Sequence, residues 1–157
     1  MIKINIPGKD EILELEHLVF DFNGTLALDG KIKPGVGELL TELSRHVQIH
    51  IVTAGTFGHV ENEIQPIPCT LKILAGADQT GQKARFVKEL GAEKTACIGN
   101  GRNDRDMLAC AALGILVIQE EGAAVASLLA ADVLCRDITE ALQLLLHPLR
   151  LTATMRS

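Results

Sequence analysis

Tryptophan and tyrosine are missing from this chain, and four phenylalanines are its only aromatic residues. Aliphatic side chains must therefore fill the core, and the aromatic platforms on which single-stranded nucleic acid stacks are excluded. There is no long run of lysine or arginine. The formal charge is −5, whereas nucleic acid and anionic membrane surfaces both select a basic face. No apolar run reaches transmembrane length and the N-terminal residues show no signal-peptide pattern, so a cytoplasmic protein without a membrane partner is expected. The cysteines, Cys69, Cys97, Cys110 and Cys135, form no CxxC pair. Three of them sit in or beside apolar stretches, where a thiol acts as a small hydrophobe, so neither disulfides nor cysteine-held metals are expected.

What is present is an ordinary α/β composition, 47% hydrophobic and 22% charged over 157 residues. A chain of this size buries roughly 70% of its unfolded surface, enough for one domain over 1–157. Ile2, Ile4 and Ile6 alternate, Pro7-Gly8-Lys9-Asp10 supplies a turn, and Ile12, Leu13 and Leu15 follow, which predicts an N-terminal β-hairpin within 1–17. From Leu18 onward short apolar strands alternate with helices. Strands are expected near 18–20, 47–53, 71–74, 95–98, 115–118 and 133–134. Helices are expected at 36–43, 57–64, 79–90, 104–112 and 123–130, with a last one carrying Ile138, Ala141, Leu142 and Leu145. The core then spans 18–146, and 147–157 is a tail. This alternation predicts a mainly parallel sheet covered by helices on both faces, and such sheets place their sites beyond the carboxyl ends of the strands.

Three strand ends carry polar chemistry. The first reads Asp21-Phe22-Asn23-Gly24-Thr25-Leu26. A strand-end carboxylate can attack phosphorus, and Gly24 would let the loop turn and offer backbone N–H groups to phosphate oxygens. Alone, this stretch fits equally a strand-end Asp in an Asx-turn. The second, Thr53-Ala54-Gly55-Thr56, offers a hydroxyl and amides at a helix start; alone it fits an N-cap better. The third, Ile98-Gly99-Asn100-Gly101-Arg102-Asn103-Asp104, crowds hard oxygen donors suited to magnesium, with Asp104 as a second carboxylate facing Asp21 or, alternatively, as an N-cap. Lys83, at the start of a helix where a cation is electrostatically misplaced, is explained by an anionic site nearby. Arg85 and Lys88 read as surface residues.

All four elements, in this order and spacing, resemble the haloacid dehalogenase (HAD) superfamily of phosphotransferases. Within it the chain is similar to the phosphorylation domain of P-type ATPases and the soluble phosphatase-like proteins related to it. The resemblance covers roughly 18–134. It implies a HAD-like Rossmannoid three-layer α/β/α sandwich and a Mg²⁺-dependent phosphohydrolase or phosphotransferase working through an aspartyl-phosphate on Asp21. By the same resemblance Asn23, Thr53 and Lys83 join Asp21 in catalysis. Phe22, Gly24, Thr25, Ala54, Gly55 and Asn103 bind phosphate, and Asp21, the Asn23 carbonyl, Asn100 and Asp104 hold the metal.

Two positions depart from the family. Its phosphatases carry an aspartate two residues after the nucleophile as general acid and base; here Asn23 cannot move a proton, help typically worth about 10²–10⁴-fold. Asn100 stands where the family has a metal-ligating aspartate. A slow phosphatase and a non-hydrolytic phosphate-binding or phosphorylatable regulatory module both remain open. Neither 27–33 nor 57–68 leaves room for a cap domain, so the site would be open to a phosphorylated small molecule or macromolecule, or covered by a second subunit in a homo-oligomer. His17, His46 and His50 read as surface or packing residues, and His59, near the second motif, as a candidate proton shuttle.

Overall fold

The computed structural model describes residues 1–8, 12–55 and 59–156. In chain order the strands are β1 (Ile2–Ile4), β2 (Leu13–Leu15), β3 (His17–Asp21), β4 (Ala27–Leu28), β5 (Lys31–Ile32), β6 (Gln48–Thr53), β7 (Thr70–Ile73), β8 (Thr95–Gly99), β9 (Leu113–Val117) and β10 (Val133–Cys135). The helices are α1 (Val36–Leu43), α2 (His59–Ile64), α3 (Gln79–Leu90), α4 (Arg105–Cys110), α5 (Val125–Leu128), α6 (Ile138–Leu146) and α7 (Pro148–Met155).

Six strands form one parallel sheet in the order β10-β9-β8-β3-β6-β7. The period of two along each strand explains the layers. On β3, Leu18 and Phe20 enter one core cluster with Ile49, Ile51, Ile98 and Ile115, together with Val36, Leu40 and Leu43 of α1 and Ile138, Ala141 and Leu142 of α6. Val19, Val52, Cys97 and Leu116 face the other way, against Val87 of α3 and Met107 and Leu108 of α4. With both faces covered, every residue of β8 and β9 is buried, which is why these strands read as continuous apolar runs.

The helix expected at 79–90 is α3 with those bounds. Asp78 accepts a hydrogen bond from the Gly81 amide at its start, and Gly91 at φ 100° ends it. The predicted hairpin is present, β1 antiparallel to β2 with Ile2 opposite Leu15; its turn residues Lys9 and Asp10 lie outside the described residues, as do Thr56 and Phe57. Two helices are shorter than expected. The stretch 104–112 opens with a 3-10 turn over Arg102–Asp104 before α4, and 123–130 yields only α5. The segment read as a tail contains α7, begun by Pro148 at a position where its missing N–H costs nothing. Its Leu151 is fully buried and Thr152 Oγ1 donates to the Asn5 carbonyl (2.8 Å), so the helix seats against the hairpin. All four cysteines are free thiols. No helix among the described residues is long and apolar enough to cross a membrane.

Candidate active site

The parallel register brings β3 between β6 and β8, with Asp21 beside Val52. Alternation on β3 turns Asp21 to the same side as Val19, toward α3 and α4, and sends Phe22 into the opposite core. From α3, Lys83 reaches in fully buried, its stem in the row of Ala84 and Val87. Its ammonium donates to Asp21 Oδ1 at 2.7 Å and Asp104 Oδ1 at 2.6 Å. The misplaced lysine of the sequence is thus the bridge between two carboxylates, whereas Arg85 is exposed and pairs with Asp78.

Asp104 is held from behind as well. Its Oδ2 accepts from the amides of Asn100 (3.0 Å) and Gly101 (2.9 Å), folding the loop after β8 around the carboxylate. A side chain at Gly99 would overlap that carboxylate, which accounts for glycine there. Asp104 therefore faces Asp21 across Lys83 rather than directly. On the outer side, Thr25 Oγ1 lies 3.2 Å from Asp21 Oδ2 and 3.3 Å from Asn100 Oδ1. The result is a buried row running Asp104, Lys83, Asp21, Thr25, Asn100.

Electrostatics follow from that row. Burial pushes the Asp21 carboxyl up to about 7, the neighbouring Asp104 charge adds to the rise, and Lys83 and Thr25 oppose it. Burial works against the Lys83 charge too, but the two carboxylates outweigh it and hold its pKa above the ordinary value. A single ammonium serves two acids, so the site carries surplus negative charge once Asp21 is ionised.

The remaining expected residues are distributed around this row. Thr53, buried at the end of β6, accepts the Gly55 amide on its hydroxyl oxygen (3.0 Å), and among the described residues its hydroxyl proton has no acceptor. Ala54 is exposed, as is Asn23. Asn103 donates its carboxamide to Gln79 Oε1 (2.9 Å), tying the loop after β8 to the start of α3. One expectation is corrected. The Gly24 amide donates to the Ala27 carbonyl (2.8 Å) and the Thr25 amide to the Phe22 carbonyl (3.2 Å), so these N–H groups close the loop on itself instead of standing free for phosphate. Gly24 still needs its φ of 81° to make this turn. His59 is tied by Nε2 to the Gly30 carbonyl in the β4–β5 turn (2.9 Å), and His50 forms a chain with His17 (3.1 Å) and Thr70 (2.6 Å) at the far end of the strands.

One residue was not singled out from the sequence. Gln119, just past the end of β9, donates to the carbonyls of Gly24 (2.9 Å) and Thr25 (2.8 Å) and accepts from Lys33 Nζ (2.9 Å) and the Ile138 amide (3.0 Å). Its signal was available: it stands at the carboxyl end of a strand, as Asp21, Thr53 and Asn100 do. Among the described residues no three His, Cys, Asp or Glu side chains are grouped to hold a metal unaided. The donors around Asp21 are carboxylate, carboxamide and backbone carbonyl oxygens, all hard, and together with the surplus charge they fit magnesium.

No family model matches the chain. It is 45% identical over 78 residues to the uncharacterized protein MJ0073 of Methanocaldococcus jannaschii, covering 47% of this chain and 84% of that protein. It is 51% identical over 39 residues to the uncharacterized protein MJ0072 of the same organism, covering 25% and 89%. Among solved structures, 3-deoxy-D-manno-octulosonate 8-phosphate phosphatase of Moraxella catarrhalis, in complex with magnesium, phosphate and KDO, superposes with a TM-score of 0.71 at 17% identity over 85% of this chain and 87% of that one. The cobalt-bound deoxy-D-mannose-octulosonate 8-phosphate phosphatase of Haemophilus influenzae gives 0.71 at 16% over 87% and 90%. A HAD superfamily (subfamily III A) protein of Legionella pneumophila gives 0.72 at 19% over 91% and 88%. The fold is HAD-like.

Proposed function

This chain belongs to the family of the Methanocaldococcus jannaschii protein MJ0073, and on its fold and site we propose that it is a magnesium-dependent phosphohydrolase that passes the phosphoryl group through Asp21. The observation that carries this reading is the Asp21–Lys83–Asp104 row at the carboxyl edge of the sheet, with both ion pairs buried. The solved relatives of the same fold that bind magnesium or cobalt support the choice of a divalent ion.

In this reading Asp21, the Asn23 carbonyl and Asn100 would hold the metal, and Asp104, whose oxygens are taken by Lys83 and the Asn100 and Gly101 amides, would add its charge from behind. When bound, the metal would offset the surplus negative charge and so favour an incoming phosphate. A carboxylate oxygen of Asp21 attacks phosphorus, the bond from phosphorus to the leaving oxygen breaks, and the leaving oxygen takes a proton from solvent. Water then attacks the aspartyl-phosphate, releasing inorganic phosphate and restoring the Asp21 carboxylate. Lys83 and the Thr25 hydroxyl keep Asp21 oriented, Lys83 steadies the charge on the transferring group, and Thr53 offers its hydroxyl proton to that group's oxygens. Only the short β4–β5 hairpin separates the Asp21 loop from α1, so the site is open to a bulky phosphomonoester.

Asn23 favours a second reading. With no carboxylate at this place to activate water, the phosphoenzyme would persist, as the likeness of the motifs to P-type ATPases implies, and the chain would act as a phosphorylatable regulatory module. The test is phosphate release from para-nitrophenyl phosphate with and without magnesium. Metal-dependent release that disappears in Asp21→Asn supports the phosphatase, and Asn23→Asp is expected to speed turnover by at least tenfold. Labelling of Asp21 by a small phosphodonor with no release points to the regulatory module, and absence of both reactions overturns the proposal.

A further inference from the structure

Asn100 is more than a lost carboxylate. Its Nδ2 donates to the Gly122 carbonyl at 3.0 Å and its backbone carbonyl accepts the Ala124 amide at 2.9 Å. These two bonds pin the loop between β9 and α5 against the end of β8. An aspartate at 100 could not make the first of them, because a carboxylate has no proton to give and would face the Gly122 carbonyl with like polarity. The loop pinned in this way carries Glu121. A Cβ built on Gly24 would collide with Glu121 Oε2 and would lie 2.6 Å from Asn100 Nδ2 and 2.8 Å from Asn100 Oδ1. The Glu121 carboxylate and the Asn100 side chain therefore meet over the same point of the Asp21 loop. The adjacent Glu120 is turned away to Lys33 (2.8 Å).

Resting on the phosphohydrolase reading above, we infer that Glu121 is a metal-site residue that restores, from the β9–α5 loop, the negative charge that Asn100 lacks. With Asp21 ionised, Asp21, Asp104 and Glu121 set three carboxylates against the one ammonium of Lys83, an imbalance of two charges that matches a divalent cation. Glu121 acts through the cation's hydration shell, since magnesium keeps several of its waters in protein sites. Carboxylates placed beyond the direct ligands commonly change metal affinity by about 10–100-fold when removed. With the cation bound, the Glu121 charge is offset; without it, Glu121 would repel a phosphorylated substrate.

The test is titration of the metal-free full chain with Mg²⁺ alone, followed by calorimetry, with no substrate present. Glu121→Gln is expected to weaken binding at least tenfold, and Glu120→Gln to leave it unchanged. In Asn100→Asp/Glu121→Gln, which returns the charge to position 100, affinity is expected to recover to within about threefold of the parent chain. Unchanged binding in Glu121→Gln, with or without a fall in turnover, overturns the inference while leaving the phosphohydrolase standing. Failure of the parent chain to bind magnesium overturns both. A loss of affinity in Glu121→Gln is accepted only when the thermal midpoint of the metal-free variant matches the parent; a lowered midpoint transfers the decision to the double variant, whose failure to recover counts against the inference.

Discussion

A single lysine decides much about this molecule. With Lys83 in place, two buried carboxylates share one ammonium; without it they face each other in a dry interior. Removing one partner of a buried ion pair typically costs about 3–5 kcal/mol, and Lys83→Ala is expected to lower stability by that order in urea titration of the metal-free chain. Adding Asp21→Asn to that variant should recover part of the loss, because it removes one of the two stranded charges. At this scale the sequence was informative in one respect and silent in another. Lys83 was readable because a cation in the first turn of a helix is out of place unless an anion answers it. Asp21 and Asp104 were readable from their strand ends. The fate of the Gly24 and Thr25 amides was not, since it depends on how the next three residues fold back. Nor could the sequence show Glu121, which reaches its neighbours only through the pinning of residues 119–124 onto Asn100.

The elements most legible in the chain were those with local punctuation. Asp78 and Gly91 bracket α3, and the period-two split of Leu18 and Phe20 against Val19 assigns β3 to the sheet interior. The helix α7 carries a start mark in Pro148 but little else: Leu149 is 83% exposed and only Leu151 is fully buried, so its apolar periodicity is weak and tertiary contact with β1 completes it. The same holds for the Asp21 loop, which takes its shape from an element nearly a hundred residues later. Gln119 fastens two of its carbonyls from the end of β9, and by accepting from Lys33 and Ile138 it ties in the approaches to α1 and α6. Gln119→Glu keeps the shape and the acceptor but faces those carbonyls with oxygen instead of N–H. It is expected to cost about 1–3 kcal/mol and to lower kcat for para-nitrophenyl phosphate; an unchanged urea midpoint together with unchanged kcat would show the clamp to be idle.

For the molecule as a whole, two buried groups pull stability in opposite directions over one range of pH. Burial and the neighbouring His17 depress the His50 imidazole from 6.5 to about 4. Between those values the unfolded chain holds the proton and the folded chain does not, so acid weakens the fold. Asp21 is raised from 3.8 to about 7; over nearly the same range the folded chain holds its proton and the unfolded chain does not, so acid strengthens the fold. The metal-free parent is expected to show a shallow dependence between pH 6.5 and 4. Asp21→Asn, with one contribution removed, should lose stability on acidification at up to about 1.4 kcal/mol per pH unit, read from urea midpoints across that range; a curve parallel to the parent's would count against either the His50 or the Asp21 assignment. The packing of α7 onto the hairpin has its own consequence, a mechanical one. Because β1 and α7 grip each other, tension applied between the two ends of this chain would load that clasp before any strand of the parallel sheet. The clasp would part first and the sheet later, so in a pulling experiment extension would come in two steps, with the Asp21 row intact through the first.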